Sequence, residues 1–454
     1  MTASPSTDIP SPQLARALIR GLTRGTAISA GVRYIHVGHV RWLEAQHELL
    51  DEVAEDGHSD TKFVRGAYGA GKSHFLSVVQ DHAREREWVT SHVECKVDGV
   101  QIDRFETLYP KLVANLVSRD MADGGGTSPT SGGVDPVRFL LDRWVAHLLR
   151  ATGVIDEGKL RPLDADIRVY TELQRSLLRS SLPPDFSNAL TAYARASIAG
   201  DVGSMRAVSL WLRGIEEKVR LPSQYLRSRI GSAVSRRDET FELRAISKGT
   251  ATEIMRGVLW LVRAAGYAGL VLCIDEIEEL AKLGTRRRQD QALQALREYV
   301  DNAGGDSGYS HLVMYLAATP EMFEGEDYFP RYDALATRIQ PLGDTINWRA
   351  PVIDLDRTPL SPSQMAEMAT RIRSVHICGY GERASEALSS ESLQHFVSAV
   401  LESRFRIAKP RLLTRLIVDE LERARQDPSA YVKPANVAKL LSRTAEQLTR
   451  EEGS

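Results

Sequence analysis

Cysteine is scarce in this chain, which holds only Cys95, Cys273 and Cys378, and their spacing pairs none of them as metal ligands. That scarcity excludes a disulfide framework or a zinc module and points to a reducing compartment. Long apolar runs are missing too. No stretch approaches the roughly 18 apolar residues that a bilayer span requires. Nor does one sign of charge dominate. The formal net charge is −2, so contact with nucleic acid would have to come from a local patch. The opening Met1–Pro12 is rich in Ser, Pro and Thr, lacks the basic start and apolar block of a secretory signal, and reads as a frayed tail. A soluble, cytoplasmic protein is expected. What is plentiful is apolar side chain, 43% of 454 residues, enough for a large core.

Periodicity organises the chain. Leu14, Ala17, Leu18 and Leu22 recur at helical spacing, Tyr34–Gly38 reads as a short extended piece, and Trp42–Leu50 reads as a helix. After a polar break at Glu55–Asp60, the pattern predicts a strand over Lys62–Arg65, a loop over Gly66–Ser73 and a helix over His74–Arg86. Val93–Val97 alternates like a second strand, and Phe105–Leu116 is a helix candidate interrupted by Pro110. Arg119–Pro136, with Gly124, Gly125 and Gly126, reads as a loop. Val137 to Tyr267 reads as almost wholly helical. The apolar runs Gly269–Ile274 and His311–Ala318 have the composition of strands buried in a parallel sheet. Beyond Pro362 the pattern is helical again. The expected fold is α/β, a parallel core with a large helical insertion and a C-terminal helical lid. Its expected divisions are 1–30, a tail and helix; 31–136, the first part of the core; 137–267, the insertion; 268–357, the second part of the core; and 358–454, the lid and tail.

The most specific motif is Gly66-Ala67-Tyr68-Gly69-Ala70-Gly71-Lys72-Ser73, which satisfies G-x-x-x-x-G-K-[ST] in full. Glycines let such a loop turn tightly and present backbone N–H groups to phosphate oxygens, and the helix that follows points its positive end at the same anion. In this reading the whole loop and His74 after it bind ATP. Lys72, expected on an exposed loop, reaches the β- and γ-phosphates, and the Ser73 hydroxyl ligates Mg²⁺. A second motif, Val271-Leu272-Cys273-Ile274-Asp275-Glu276, ends an apolar strand in two carboxylates. Asp275 then holds the Mg²⁺ shell and Glu276 orients or deprotonates the attacking water; a buried strand merely ending in solvated acids is the plainer alternative. Thr319, at the end of the run Ala317-Ala318-Thr319-Pro320, reads as a helix N-cap, and its resemblance to the small polar residue that AAA+ proteins place there implies a sensor of the γ-phosphate, two roles one residue could share. Arg411, in the first turn of a helix opened by Lys409-Pro410, sits where a cation is mildly unfavourable unless an anion compensates.

Gly66–Leu76, Leu270–Leu280 and Ala317–Phe323, with Trp211–Gly214 and Ala265–Leu270, resemble the ATP-binding proteins of BREX phage-defence systems, over roughly residues 30–425. The resemblance implies an AAA+ P-loop core akin to replication-initiator and loader ATPases. It implies that Arg338, in Ala334–Ile339, is lent to a neighbouring subunit's ATP, and that Arg411 is a second sensor coupling lid to nucleotide. It also implies a methyltransferase, a phosphatase-like protein and a helicase as partners, and a homo-oligomer. About 30 residues follow the lid helix, too few for the winged helix that initiators usually carry. Arg220, Arg227, Arg229, Arg236 and Arg237, and also Arg286–Arg288, are candidates for sequence-nonspecific DNA contact or for solvated faces paired with acids such as Glu216, Glu217, Asp238 and Glu239. The expected function is Mg²⁺-dependent ATP hydrolysis within an antiviral complex. The alternatives are a nucleotide-gated scaffold with little hydrolysis and an initiator- or loader-like ATPase.

Overall fold

The computed structural model describes residues 9–24, 31–123, 135–155, 162–178, 180, 182–216, 218–227, 239–247, 249–304, 309–339, 345–382, 388–405, 407–427 and 436–452. Among them are seven strands: β1 (Ser59–Arg65), β2 (Trp88–Glu94), β3 (Val219–Pro222), β4 (Thr240–Leu243), β5 (Gly269–Asp275), β6 (Leu312–Ala318) and β7 (Val352–Asp354). Five form one sheet in the order β2-β5-β6-β1-β7, and β3 and β4 form a separate pair. The fold is α/β, with β1 parallel to β7 and β2 parallel to β5. β5 and β6 are buried at every residue, which is why they read as unbroken apolar runs. None of the described helices is long and apolar enough to cross a membrane.

The chain divides into two compact units, one of Met1–Leu49, Lys62–His82 and Leu316–Ser454, the other of Leu50–Thr61 and Ala83–Tyr315. In the first, the helices Pro12–Arg24, Pro362–Tyr380, Ser390–Glu402, Lys409–Gln426 and Val437–Glu452 share one apolar core that includes Leu18, Ile19, Ile372, Phe396, Leu416 and Leu441. Local chemistry sets their starts and their pairing. Ser361 accepts from the Gln364 N–H while Gln364 Oε1 accepts from the Ser361 N–H, and Pro362 holds the first turn; this is a capping box with proline where its missing donor costs nothing. His376, fully buried, meets Glu422 at 3.1 Å and ties two of the helices together.

In the second unit β2 and β5 pair over their whole length, from Trp88↔Gly269 to Glu94↔Asp275. Gly269 is required by close approach, since a Cβ there would lie 2.4 Å from the Trp88 ring and 2.5 Å from the His311 carbonyl oxygen. Between residues 136 and 264 helices dominate, but the β3–β4 pair interrupts them. Arg195, 2% exposed, grips Asp166 with two parallel bonds of 2.7 and 2.9 Å and donates to the Tyr225 and Arg227 carbonyls. Four of the five guanidinium N–H donors are thereby paired, which is what makes burial of the charge tolerable.

Several elements depart from the expectations. β1 begins at Ser59, inside the polar break. β2 covers Trp88–Glu94 rather than 93–97. Tyr34–Gly38 is not extended: a 3₁₀ turn covers Val32–Tyr34, and positive φ at Gly38 and His39 turns the chain. Within Arg119–Pro136, Arg119–Asp123 is helical, whereas Gly124, Gly125 and Gly126 lie outside the described residues. The helix with Pro110 inside it runs over Phe105–Ala114.

Candidate functional site

In the first unit, β1 ends at Arg65, the chain loops through Gly66–Gly71, and a helix starts at Lys72 and runs to Glu85. Gly69 at φ +78° and Gly71 at φ +104° occupy backbone that L-residues disfavour. Lys72 is not exposed as expected. It is 7% exposed, and its Nζ donates to the Gly66 carbonyl at 3.0 Å across the loop. Ser73 and His74 are half-buried. The loop's near end is fixed from β7. The register Arg65↔Asp354 brings the turn Leu355–Arg357 alongside, where the Asp356 carboxylate accepts from the Ala67 N–H at 2.9 and 3.2 Å. Arg65 meanwhile pairs with Glu324 and with Asp354.

Three histidines gather beside the loop. His36 Nδ1 is 3.0 Å from His74 Nε2, the two rings stack at 5.2 Å, and His39 stacks on His36 at 6.1 Å. Burial holds all three imidazoles below their usual range, and their mutual repulsion adds to the effect on His36 and His74; His74 is pushed down to about 4.

The same unit holds three further candidates. Arg411 comes to the loop. Its guanidinium carbon lies 4.8 Å from the Tyr68 ring centroid, and a Cβ on Gly69 would meet Arg411 Cδ at 3.3 Å and Ala408 Cβ at 3.1 Å. Thr319 stands at the N-cap of Pro320–Glu324, yet its side chain makes no capping bond. Arg338 is exposed in the last turn of Asp333–Ile339.

The acid pair belongs to the second unit. β5 delivers Asp275, 1% exposed, and the chain turns left-handed at Glu276, φ +56°. Asp275 Oδ1 accepts from the Glu276 N–H at 2.8 Å, and its other oxygen is 3.7 Å from His92 Nε2 on β2. Burial raises the Glu276 pKa, and the carboxylates of Asp275, Glu278, Glu94 and Glu279 raise it further. Glu94 and His92 are neighbours that sequence spacing gave no reason to choose. Among the described residues no three His, Cys, Asp or Glu converge as a ready metal cage. A Mg²⁺ carried by nucleotide needs no such cage, because phosphates and water supply most of its ligands. The crowded carboxylates beside Asp275 fit such a cation. Cys95 and Cys273 are buried, and burial raises both thiols, Cys95 to about 12, so neither is a nucleophile at neutral pH.

Three of the described basic-cluster arginines face polar or acidic partners, while Arg286 and Arg287 are exposed. Arg220 lies 3.2 Å from Glu242, Arg227 pairs with Glu239, and Arg288 reaches Gln101 at 2.6 Å and Asp103 at 3.7 Å. Arg229, Arg236, Arg237, Glu217 and Asp238 lie outside the described residues.

No individual curated protein matches the chain. A family model does. The one described as "BREX system ATP-binding protein BrxC/D" matches residues 11–439, nearly the whole length and more than the span over which the motifs carry their BrxD-type likeness. The chain belongs to the BREX system ATP-binding protein BrxC/D family.

Proposed function

We propose that this protein is a Mg²⁺-dependent ATPase of the AAA+ kind that couples hydrolysis to the assembly or action of a BREX defence complex. The observation that carries the reading is the loop itself. Glycines at positive φ open its backbone, a helix begins at its end, and a buried lysine is folded across it. Such a loop binds phosphate through N–H groups and one ammonium. Gly66–Ser73 hold the phosphates, with Lys72 on the terminal pair, and His74 closes the site at the start of the helix. Ser73 and Asp275 hold the ion, which when bound offsets phosphate charge.

Glu276 is the general base. It follows Asp275 directly at the end of β5, in a left-handed turn that sets its carboxylate apart from the strand, and a positioned carboxylate can take the proton from water. Thr319, whose hydroxyl is not spent on the helix cap, senses the terminal phosphate. Arg338, exposed in the last turn of its helix, acts on a second copy's nucleotide, and Arg411 answers from its own chain. The working partners are other components of the same defence system.

The test is phosphate release by the purified chain with Mg²⁺ and ATP, repeated with excess chelator. Metal-dependent turnover above background supports the reading. Tight ATP binding without turnover, alone and with the other system components, overturns hydrolysis and leaves a nucleotide-gated scaffold.

A further inference from the structure

Phosphate binding by such a loop is backbone chemistry, so the side chain of its third residue is not called on. Here that residue is Tyr68, 47% exposed. Its ring is engaged all the same, because the Arg411 guanidinium lies over it at 4.8 Å from the centroid. Two other features serve the same contact. Gly69 turns at φ +78° and has no Cβ, which lets Ala408 and Arg411 of the incoming helix approach to 3.1 and 3.3 Å of where that atom would be. The helix Lys409–Gln426 carries no acid in its first turn and no side-chain cap, so the basic Lys409-Pro410-Arg411 start gains nothing from its own helix. An aromatic face compensates a guanidinium in that position, since the planar cation stacks on the ring.

We propose that Tyr68 is a positioning residue: its ring is the platform that holds the Arg411 guanidinium over the loop, and through it the protein tells ATP from ADP. The inference rests on the nucleotide reading above. A cation fixed over the loop meets the charge that distinguishes the two nucleotides, the terminal phosphate, and the Tyr68 ring is one of the contacts that fix it there.

Isothermal titration of the β,γ-imido analogue of ATP and of ADP, both with Mg²⁺, tests this in the full chain, Tyr68→Phe, Tyr68→Leu, Arg411→Gln and the Tyr68→Leu/Arg411→Gln double variant. Tyr68→Leu is expected to lower the ratio of triphosphate to diphosphate affinity about two- to fivefold, the size of a solvent-accessible cation–π contact. Tyr68→Phe, which keeps the ring, retains the ratio. Arg411→Gln lowers it at least as far as Tyr68→Leu, and the double variant goes no further than Arg411→Gln alone. A Tyr68→Leu variant that weakens both nucleotides by one factor, or losses that multiply in the double variant, overturns the inference and leaves Tyr68 a packing residue. A native chain that binds neither nucleotide overturns the phosphate-loop reading itself, and this inference falls with it.

Discussion

The Gly66–Ser73 loop and the Asp275–Glu276 turn both bend through left-handed backbone, and they do so with opposite residues. The loop uses Gly69 and Gly71, for which the conformation is free of penalty, whereas the turn uses Glu276 at φ +56°. A non-glycine residue there carries a strain of about 1–2 kcal/mol, and such strain persists where a side chain is needed in one place. Glycine suffices where only N–H groups are wanted. A carboxylate has to be carried by a residue that strains. In the nucleotide reading proposed above, the loop is therefore the part that holds and the acid turn the part that acts.

The largest effect is expected on turnover and not on binding. Arg338→Ala should lower turnover by about 10³-fold or more with ATP affinity unchanged, because in the proposed reading this exposed residue acts on a second copy's nucleotide and not on its own. Mixing Arg338→Ala with Lys72→Ala chains should restore part of the activity in an exchanging oligomer. A phosphate-release assay on the mixture checks it, and a strictly monomeric protein removes the role.

The backbone contrast can be tested through stability. Gly71→Ala adds a Cβ that meets nothing within 4 Å, so its cost is conformational, about 1 kcal/mol. Glu276→Gly should lose no stability, since relief of about 1–2 kcal/mol of strain offsets the roughly 0.5–1 kcal/mol entropy penalty of glycine, although turnover disappears. Denaturant midpoints of the two variants decide. Equal losses would mean that Glu276 is held by contacts rather than strained.

Acid should loosen the holding side. His36, His39 and His74 have folded pKa values below their unfolded value near 6.5, so the unfolded chain takes up protons first as pH falls. Their contribution is complete above about pH 7 and is lost progressively from about 6.5 down to about 4, the His74 value. Thermal melts between pH 7.5 and 4.5 should show that decline, and His36→Phe should flatten it. A melting temperature indifferent to pH over this window would mean that the three rings are solvated.

How much of this could be read beforehand depends on how each element is stabilised. β5 and β6 stood out because every residue is buried and apolar. The start of β1 did not, because Ser59 enters the sheet by satisfying its hydroxyl on the Tyr309 carbonyl and the Leu312 N–H, and a polar residue paired that way looks like a break. β2 was displaced for a similar reason, with Thr90 and Ser91 buried through bonds to Arg84 and to the Leu112 carbonyl. The loop motif was visible because the G-x-x-x-x-G-K-[ST] pattern fixes the length and four positions of one continuous stretch. Asp356, which fixes the loop from 289 positions away, and the meeting of His36 with His74 were not, since neither contact leaves a trace in spacing.

The smallest effect is expected from the paired arginines. Arg220→Gln and Arg227→Gln together should change stability by no more than about 0.5 kcal/mol per exposed pair and leave duplex DNA affinity as it was, because each already faces a glutamate. Binding titrations over a range of salt check this. A flattened salt dependence in the variant would return these residues to a phosphate-tracking surface.

The division between holding and acting is tested most directly by titrating ATP into Lys72→Met and Glu276→Gln and measuring turnover of both beside the native chain. Lys72→Met, which keeps side-chain bulk while removing the ammonium, should lose about tenfold to a hundredfold or more in affinity. Glu276→Gln should bind ATP as the native chain does and turn over about 10²- to 10⁴-fold more slowly. A folded Lys72→Met with native affinity, or a Glu276→Gln that hydrolyses at the native rate, would contradict the account.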